Sequence, residues 1–501
     1  MADTSDAYQT FEQHVERMIQ VSHASRILDW DQQVTMPEGG TAARSRQLAT
    51  LSGIEHELLC DDELGTLLDE LDGAELDPVR AANVREIRRR HDREVRVPSD
   101  LVERTRRARS DAFETWSEAK AADDFATFAP ALENLIELRR EYAACVAPDR
   151  DPYRVLFEEF EPYVEFDRAV EILDTLRKEI PPLIDAIRRS DVSPDDGAFK
   201  GSFDPTKQES FVRDVLSDLG YDWDRGRLDT SPHPFQRGSP YDARLTTRFD
   251  RTNPLDGLTS AVHEFGHALY VQNLPREHYG SPVGEPRDMV VHESQSRFWE
   301  NHVGRSRAFW ERTLSIVREH FPQLDDLTVE RAYRSANVVT PDTPIRVAAD
   351  ELSYHLHIVV RFEIERALVR DELDVSEVPA IWNEKMESYL GCSPESAAEG
   401  PLQDVHWSNA TFGYFPTYSL GSAAAAQFRS AFEAAVGPVD EVVRDDGFEP
   451  VSEWLRENVH RHGKRFRTDD LLIEATGEPL TADPLVNYLR EKYGRLYAIS
   501  G

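Results

Sequence analysis

The pentad His263-Glu264-Phe265-Gly266-His267 constrains this chain more tightly than anything else in its 501 residues. On an α-helix, residues four apart share a face, about 5 to 6 Å from each other, so two imidazoles at that spacing can hold one metal ion. The flanking residues predict such a helix. Asn253 can cap its start, Pro254 suits the first helical position, Leu258, Ala261, Val262, Phe265 and Leu269 form an apolar face, and Pro275 closes it. Glu264 lies too far round the helix to coordinate comfortably, yet it can reach a water at the metal and take its proton. A catalytic zinc usually takes three protein donors, so one must come from outside the pentad. Beyond a loop punctuated by Gly280, Pro282, Gly284 and Pro286, a second helix is predicted to begin near Met289. An antiparallel helix pair would set its Glu293 opposite His263 and His267, while His292, His278 and Glu285 compete on distance alone.

The charge balance excludes several classes of function. Lys and Arg number 58 against 93 Asp and Glu, a net charge of −35. A phosphate backbone would be repelled, so no nucleic-acid partner is expected. No apolar run approaches the ~20 residues that cross a bilayer, so no membrane partner is expected either. The N-terminus, MADTSDAYQT, is acidic and polar where a secretory signal needs a basic and then an apolar stretch, which points to the cytoplasm. Cys60, Cys145 and Cys392 are too few and too scattered for a disulfide framework or a metal knuckle, and read as core thiols. Lysine is scarce and arginine supplies nearly all the positive charge. Excess surface carboxylate repels itself in dilute buffer, and molar salt shortens the Debye length to ~3 Å, so this composition suggests a halophile's salt-rich cytoplasm.

The fold expected is mainly α. Residues 1–501 are read as one catalytic unit, with a helical part over roughly 1–200 and a metal-binding part over 201–501. Phe11, Val15, Met18 and Ile19 share one helical face, as do Phe166, Val170, Leu173 and Ile180. The run Arg88-Arg89-Arg90 reads as a solvated helix face. Pro205 opens a helix that ends near Gly220, and between Leu228 and Asp250 the Pro and Gly punctuation predicts a small hairpin or sheet beside the pentad helix. Further long helices are expected over Leu327–Asn337 and Ile345–Leu373.

Several segments carry a resemblance. They are Trp30-Asp31 through Thr35-Met36-Pro37, His233-Pro234-Phe235, Asp242-Ala243-Arg244-Leu245-Thr246, the pentad, and His292-Glu293-Ser294-Gln295. They continue with Ile345-Arg346-Val347-Ala348-Ala349-Asp350, the run from Gly400 through Asp404 to His406-Trp407, and Gly413-Tyr414-Phe415-Pro416-Thr417-Tyr418. In this order they resemble the carboxypeptidase Taq family of zinc metallocarboxypeptidases. The resemblance implies a large helical fold with a deep groove, one of whose walls the N-terminal part would form. It also implies a zinc or cobalt ion, a homodimer, and sequential removal of C-terminal residues from peptides. It places the metal ligands on His263, His267 and Glu293 and the catalytic glutamate on Glu264. Departures from the family pattern are Arg287-Asp288, where many relatives carry smaller residues, and Ser422, where they often have asparagine.

Other roles follow from these motifs. An oxyanion donor is expected among His406, Tyr414 and Tyr418. A guanidinium should receive the substrate's free carboxylate, with Arg346 the first choice, Arg297 and Arg244 the others, and a local Arg346–Asp350 pair the structural alternative. Asp242 and Arg244 are candidates for organising the groove. His233 and Asp404 are candidates for orienting the ligand imidazoles. The competing functions are a zinc oligoendopeptidase with a groove open at both ends and a peptide-binding protein without chemistry.

Overall fold

The computed structural model describes residues 4–194 and 197–499. It is mainly helical, with one small three-stranded sheet among the described residues. The first helices, Thr4–Val34, Thr41–Leu59, Asp62–Leu71 and Pro78–Glu94, enclose a small apolar cluster between Ala7 and Ile87. Phe11, Val15, Met18 and Ile19 lie in that cluster, as their shared face predicts. A much larger core runs from Ala112 to Tyr497 and takes in Phe166, Leu173, Ile180 and the apolar face of the pentad helix.

The arginine run is not a solvated face. Arg88 reaches Asp69 at 2.7 Å, Arg90 reaches Glu55 at 3.1 Å, and Arg89 donates to the Glu158 carbonyl, so the three tie neighbouring helices together. The cysteines also differ from expectation: all three are free thiols that lie half-buried at the margins of the packing.

The helix Pro205–Leu219 ends at Gly220, whose φ of +96° provides the left-handed cap the sequence predicts. The sheet follows, with β1 Gly226–Thr230, β2 Gln236–Ser239 and β3 Asp242–Thr247. β3 is central, parallel to β1 with Leu228 opposite Leu245, and antiparallel to β2 with Arg237 opposite Arg244. β3 packs on the pentad helix, Pro254–Gln272, whose start Asn253 caps by accepting from the Leu255 amide at 3.1 Å.

The region expected as one helix from Ile345 to Leu373 is broken. A single 3-10 turn at Arg346–Ala348 precedes the helix Tyr354–Val369. The cause is Asp350, whose carboxylate accepts from the amides of Thr340, Leu352 and Ser353 and from the Ser353 hydroxyl. A side chain that satisfies local amides in this way competes with helix continuation. Asp350 is therefore not the partner of Arg346. The helix expected over Leu327–Asn337 forms over Val329–Ala336.

Candidate metal centre

Two helices meet at the site because glycine lets them. Gly266, inside the pentad, packs on the helix Met289–Arg297 so closely that an added Cβ would lie 2.5 Å from the Gln295 carbonyl oxygen and 2.6 Å from the Ser296 Cα. On the other side, Gly421 of the helix Pro416–Ala435 leaves room for Glu293, whose Cγ would meet a Cβ there at 2.6 Å. Glu293 is thus clamped between two helices and faces the histidines, its Oε2 lying 3.9 Å from His263 Nε2 and 3.4 Å from His267 Nε2. Among the described residues, His263, His267 and Glu293 are the group whose donor atoms, all within 4.8 Å of one another, could hold a metal ion.

The competitors for the third position are engaged or turned elsewhere. Glu285 accepts from His23 at 2.7 Å and pairs with Arg26 at 2.9 Å. The His292 ring packs tilted against that of His267 with centroids 4.5 Å apart, and His278 lies in a 3-10 turn of the connecting loop.

A buried charge network supports the donors. Arg297 gives one bond to Glu293 at 2.8 Å and one to Glu300 at 3.1 Å, while Glu300 accepts from His263 Nδ1 at 2.9 Å and from Arg305 at 3.0 Å. Glu300 stands in a π-helical segment, Phe298–Gly304, that continues the Met289–Arg297 helix, the kind of widened turn that recurs at functional sites. Burial would push the Glu293 carboxyl up, but Arg297 and the two imidazoles hold it well below the usual range. Glu300 is likewise held down against burial by Arg297, His263 and Arg305. Burial favours the neutral form of His263, and the facing Glu293 with the bond to Glu300 overcomes this and raises it. At Glu264 burial outweighs the lowering fields of His263, His267 and Arg237 and raises its carboxyl above the ordinary value. The donor set of two imidazoles and one ionised carboxylate suits a divalent ion of zinc type.

A second wall is built from the C-terminal motifs. Tyr418 lies 3.4 Å from His406 Nε2, and the rings of Tyr414 and Tyr418 stand edge to face at 5.2 Å. Burial raises both phenols, helped at Tyr414 by the field of Glu293, so both stay protonated donors. Burial lowers His406 to about 4, so it is neutral. Arg346 reaches Asp404 through Nε at 3.1 Å and NH2 at 2.8 Å and gives NH1 to the Tyr354 hydroxyl, and Arg361 binds the other Asp404 oxygen at 2.6 Å. Two guanidiniums share one carboxylate, which leaves one net positive charge beside Tyr418.

Comparison with known proteins places the whole chain in one family. A model of the carboxypeptidase Taq (M32) metallopeptidase family matches residues 10–493. The chain belongs to the M32 family. Thermostable carboxypeptidase 1 of Thermus thermophilus is 38% identical over 98% of this chain and 99% of its own length. The crystal structure of the M32 carboxypeptidase from Deinococcus radiodurans superposes with a TM-score of 0.95 at 35% identity, covering 99% of this chain and all of that one. Trypanosoma cruzi metallocarboxypeptidase 1 gives 0.93 at 35% identity, over 97% and 99% of the two chains. The protein is an M32 metallocarboxypeptidase, a hydrolase of peptide bonds, and neither competing function is favoured.

Several residues of this M32 site were not anticipated from sequence. Glu300, Arg305 and Arg361 are three, and Arg237 is a fourth: it pairs with Asp29 of the first helix at 3.1 Å and its charge acts on Glu264. Glu300 had a legible signal, because Glu293, Arg297 and Glu300 follow at four and three residues on one helical face. The roles expected of other residues need correction. Arg297 is committed to Glu293 and Glu300, and Arg244 to Asp242 at 2.7 Å while lying 4.4 Å from the Trp30 ring. Asp404 orients two arginines instead of an imidazole, and His233 is exposed at the surface. Arg287 is fully buried between Glu86 and Asp288, and Ser422 donates back to the Tyr418 carbonyl.

Proposed function

We propose that this M32 enzyme removes amino acids one at a time from the free C-terminus of peptides with broad side-chain tolerance, using a zinc ion, or cobalt in its place, held by His263, His267 and Glu293. The observation that carries the reading is the convergence of those three side chains beside the buried carboxyl of Glu264. When bound, the metal supplies Lewis acidity that polarises the scissile carbonyl and makes water a better acid. Glu264 takes the proton of the attacking water and returns it to the leaving amine nitrogen, a cycle that a carboxyl raised by burial serves near neutral pH. Tyr414 and Tyr418 donate toward the oxyanion, and neutral His406 holds the Tyr418 hydroxyl. The uncompensated charge of the Arg346–Asp404–Arg361 group receives the substrate carboxylate. Asp242, paired to Arg244 in the sheet, stiffens this side of the site.

The net charge of −35 supports a further reading, that the enzyme works in the salt-rich cytoplasm of a halophile, where screening relieves carboxylate repulsion. No described helix is long and apolar enough to cross a membrane. The resemblance to M32 enzymes supports a homodimer. The test is Glu264→Gln in metal-loaded protein. We expect kcat to fall by about 10²–10⁴-fold with metal content unchanged. An unchanged kcat would remove Glu264 from the reaction.

A further inference from the structure

One buried side chain touches both the support of the metal centre and the arginine group of the second wall. Tyr354 opens the helix Tyr354–Val369, directly after the break at Asp350. Its amide donates to the Asp350 carbonyl at 3.0 Å, and the preceding Ser353 is held by the Asp350 carboxylate through both amide and hydroxyl. The residue that follows, His355, meets the Ser419 hydroxyl of the helix Pro416–Ala435 at 3.0 Å. The backbone of Tyr354 is thus pinned from both sides, and its ring is buried.

The ring and the hydroxyl meet different partners. The ring face carries the Arg297 guanidinium 4.6 Å from its centroid, and Arg297 in turn holds Glu293 at 2.8 Å. The hydroxyl accepts from Arg346 Nη1 at 3.1 Å. A guanidinium carries five N–H donors in one plane. Asp404 takes the Nε hydrogen and one on Nη2, and Tyr354 takes one on Nη1, so each terminal nitrogen of Arg346 keeps one donor. Two such donors side by side form the fork that meets a carboxylate with two bonds. Asp404 grips one edge of the group, and the Tyr354 hydroxyl fixes the end that Asp404 does not reach.

We propose that Tyr354 is a positioning residue of the reaction, which by bridging Arg297 and Arg346 holds the carboxylate-receiving fork at a fixed place relative to the metal centre. The assignment rests on the reading that Arg346 receives the substrate carboxylate. An enzyme that removes single C-terminal residues has to bring one bond to its metal, the bond that precedes the terminal residue. A fork held at a set span from the metal selects that bond by length, whatever side chain the terminal residue carries, and spares the substrate a search among orientations. The link runs through protein bonds alone, from Glu293 to Arg297, to the Tyr354 ring, and from its hydroxyl to Arg346.

The test is steady-state kinetics of metal-loaded protein on a short unblocked peptide, comparing the native chain with Tyr354→Phe, Arg346→Gln and the double variant. Tyr354→Phe keeps the ring on Arg297 and removes only the hydroxyl. We expect its KM to rise about tenfold, the effect of losing a hydrogen bond to a charged group, with a smaller change in kcat and native metal affinity in competition with a chelator. Arg346→Gln should raise KM at least as far, and adding Tyr354→Phe to it should raise KM no further, because the hydroxyl acts through the guanidinium. A Tyr354→Phe enzyme with native KM, one whose metal affinity falls along with its KM, or a double variant in which the two losses add in full would overturn the proposal while leaving the role of Arg346 standing. A native KM in Arg346→Gln would instead remove the carboxylate reading, and the assignment of Tyr354 with it.

Discussion

Glu300 accepts the Nδ1 proton of His263, which fixes the tautomer and leaves Nε2 on the side of Glu293. Without that acceptor the imidazole can turn and its basicity falls. Outer partners of this kind typically account for 10- to 100-fold in metal affinity. Glu300→Gln should therefore weaken metal binding by about that factor in competition with a chelator, while helix content stays native. Unchanged affinity would mean that Glu300 only neutralises Arg297 and Arg305.

At the scale of elements, the site depends on how closely two helices approach. Gly266 is inside the pentad, where a sequence motif leaves the residue type open, yet the facing backbone at Gln295 and Ser296 leaves no space for a Cβ. Gly266→Ala must push the pentad helix away from the helix that carries Glu293. Overpacking of this sort costs about 1–3 kcal/mol, and here the displacement also separates the metal donors. Denaturant unfolding and metal competition on this variant should both worsen. A variant as stable as the native chain with unaltered metal affinity would show that the helices are not in the contact described. The connecting loop is held just as firmly: the Val283 amide donates to Asn83, and Arg287 grips Glu86, so the first helices fix the path into the helix that carries Glu293. The pentad helix, its cap and its apolar face were legible because cap, proline and period agree locally. The break at Asp350 and the π-helical segment were not, since both depend on side chains meeting partners that local periodicity does not report. Nor could spacing pair Asp404 with Arg346 and Arg361, which are 58 and 43 residues away.

For the whole molecule, buried carboxylates set how stability follows pH. Glu365 lies in the main core, where its carboxyl accepts from Trp407 Nε1 at 2.8 Å, the Gly413 amide at 3.1 Å and the Tyr153 hydroxyl at 3.2 Å. These contacts anchor the segment between His406 and Tyr414. Burial outweighs those bonds and pushes its carboxyl up to about 8. The folded chain therefore keeps a proton that the unfolded chain releases near the ordinary glutamate value, and its contribution, complete below that value, is lost as pH rises through about 8. A difference of that size is on the order of 5 kcal/mol. Glu365→Gln, which cannot ionise, should become more stable relative to the native chain between about pH 5 and pH 8 when urea midpoints are compared. Parallel pH profiles would show that Glu365 is ionised in the fold. Glu86 behaves oppositely: burial raises it, but the bond and charge of Arg287 bring it down to about 2, so its contribution is lost on acidification below the ordinary glutamate range. The central claim, an enzyme that reads a free C-terminus at the His263–His267–Glu293 centre, is tested most directly by one time course. Metal-loaded protein is given a short unblocked peptide and its C-terminally amidated twin, with release of each amino acid followed. The account predicts single residues appearing in order from the C-terminus of the free peptide alone, and none after chelation until metal is restored. Cleavage of the amidated peptide at internal bonds would contradict it.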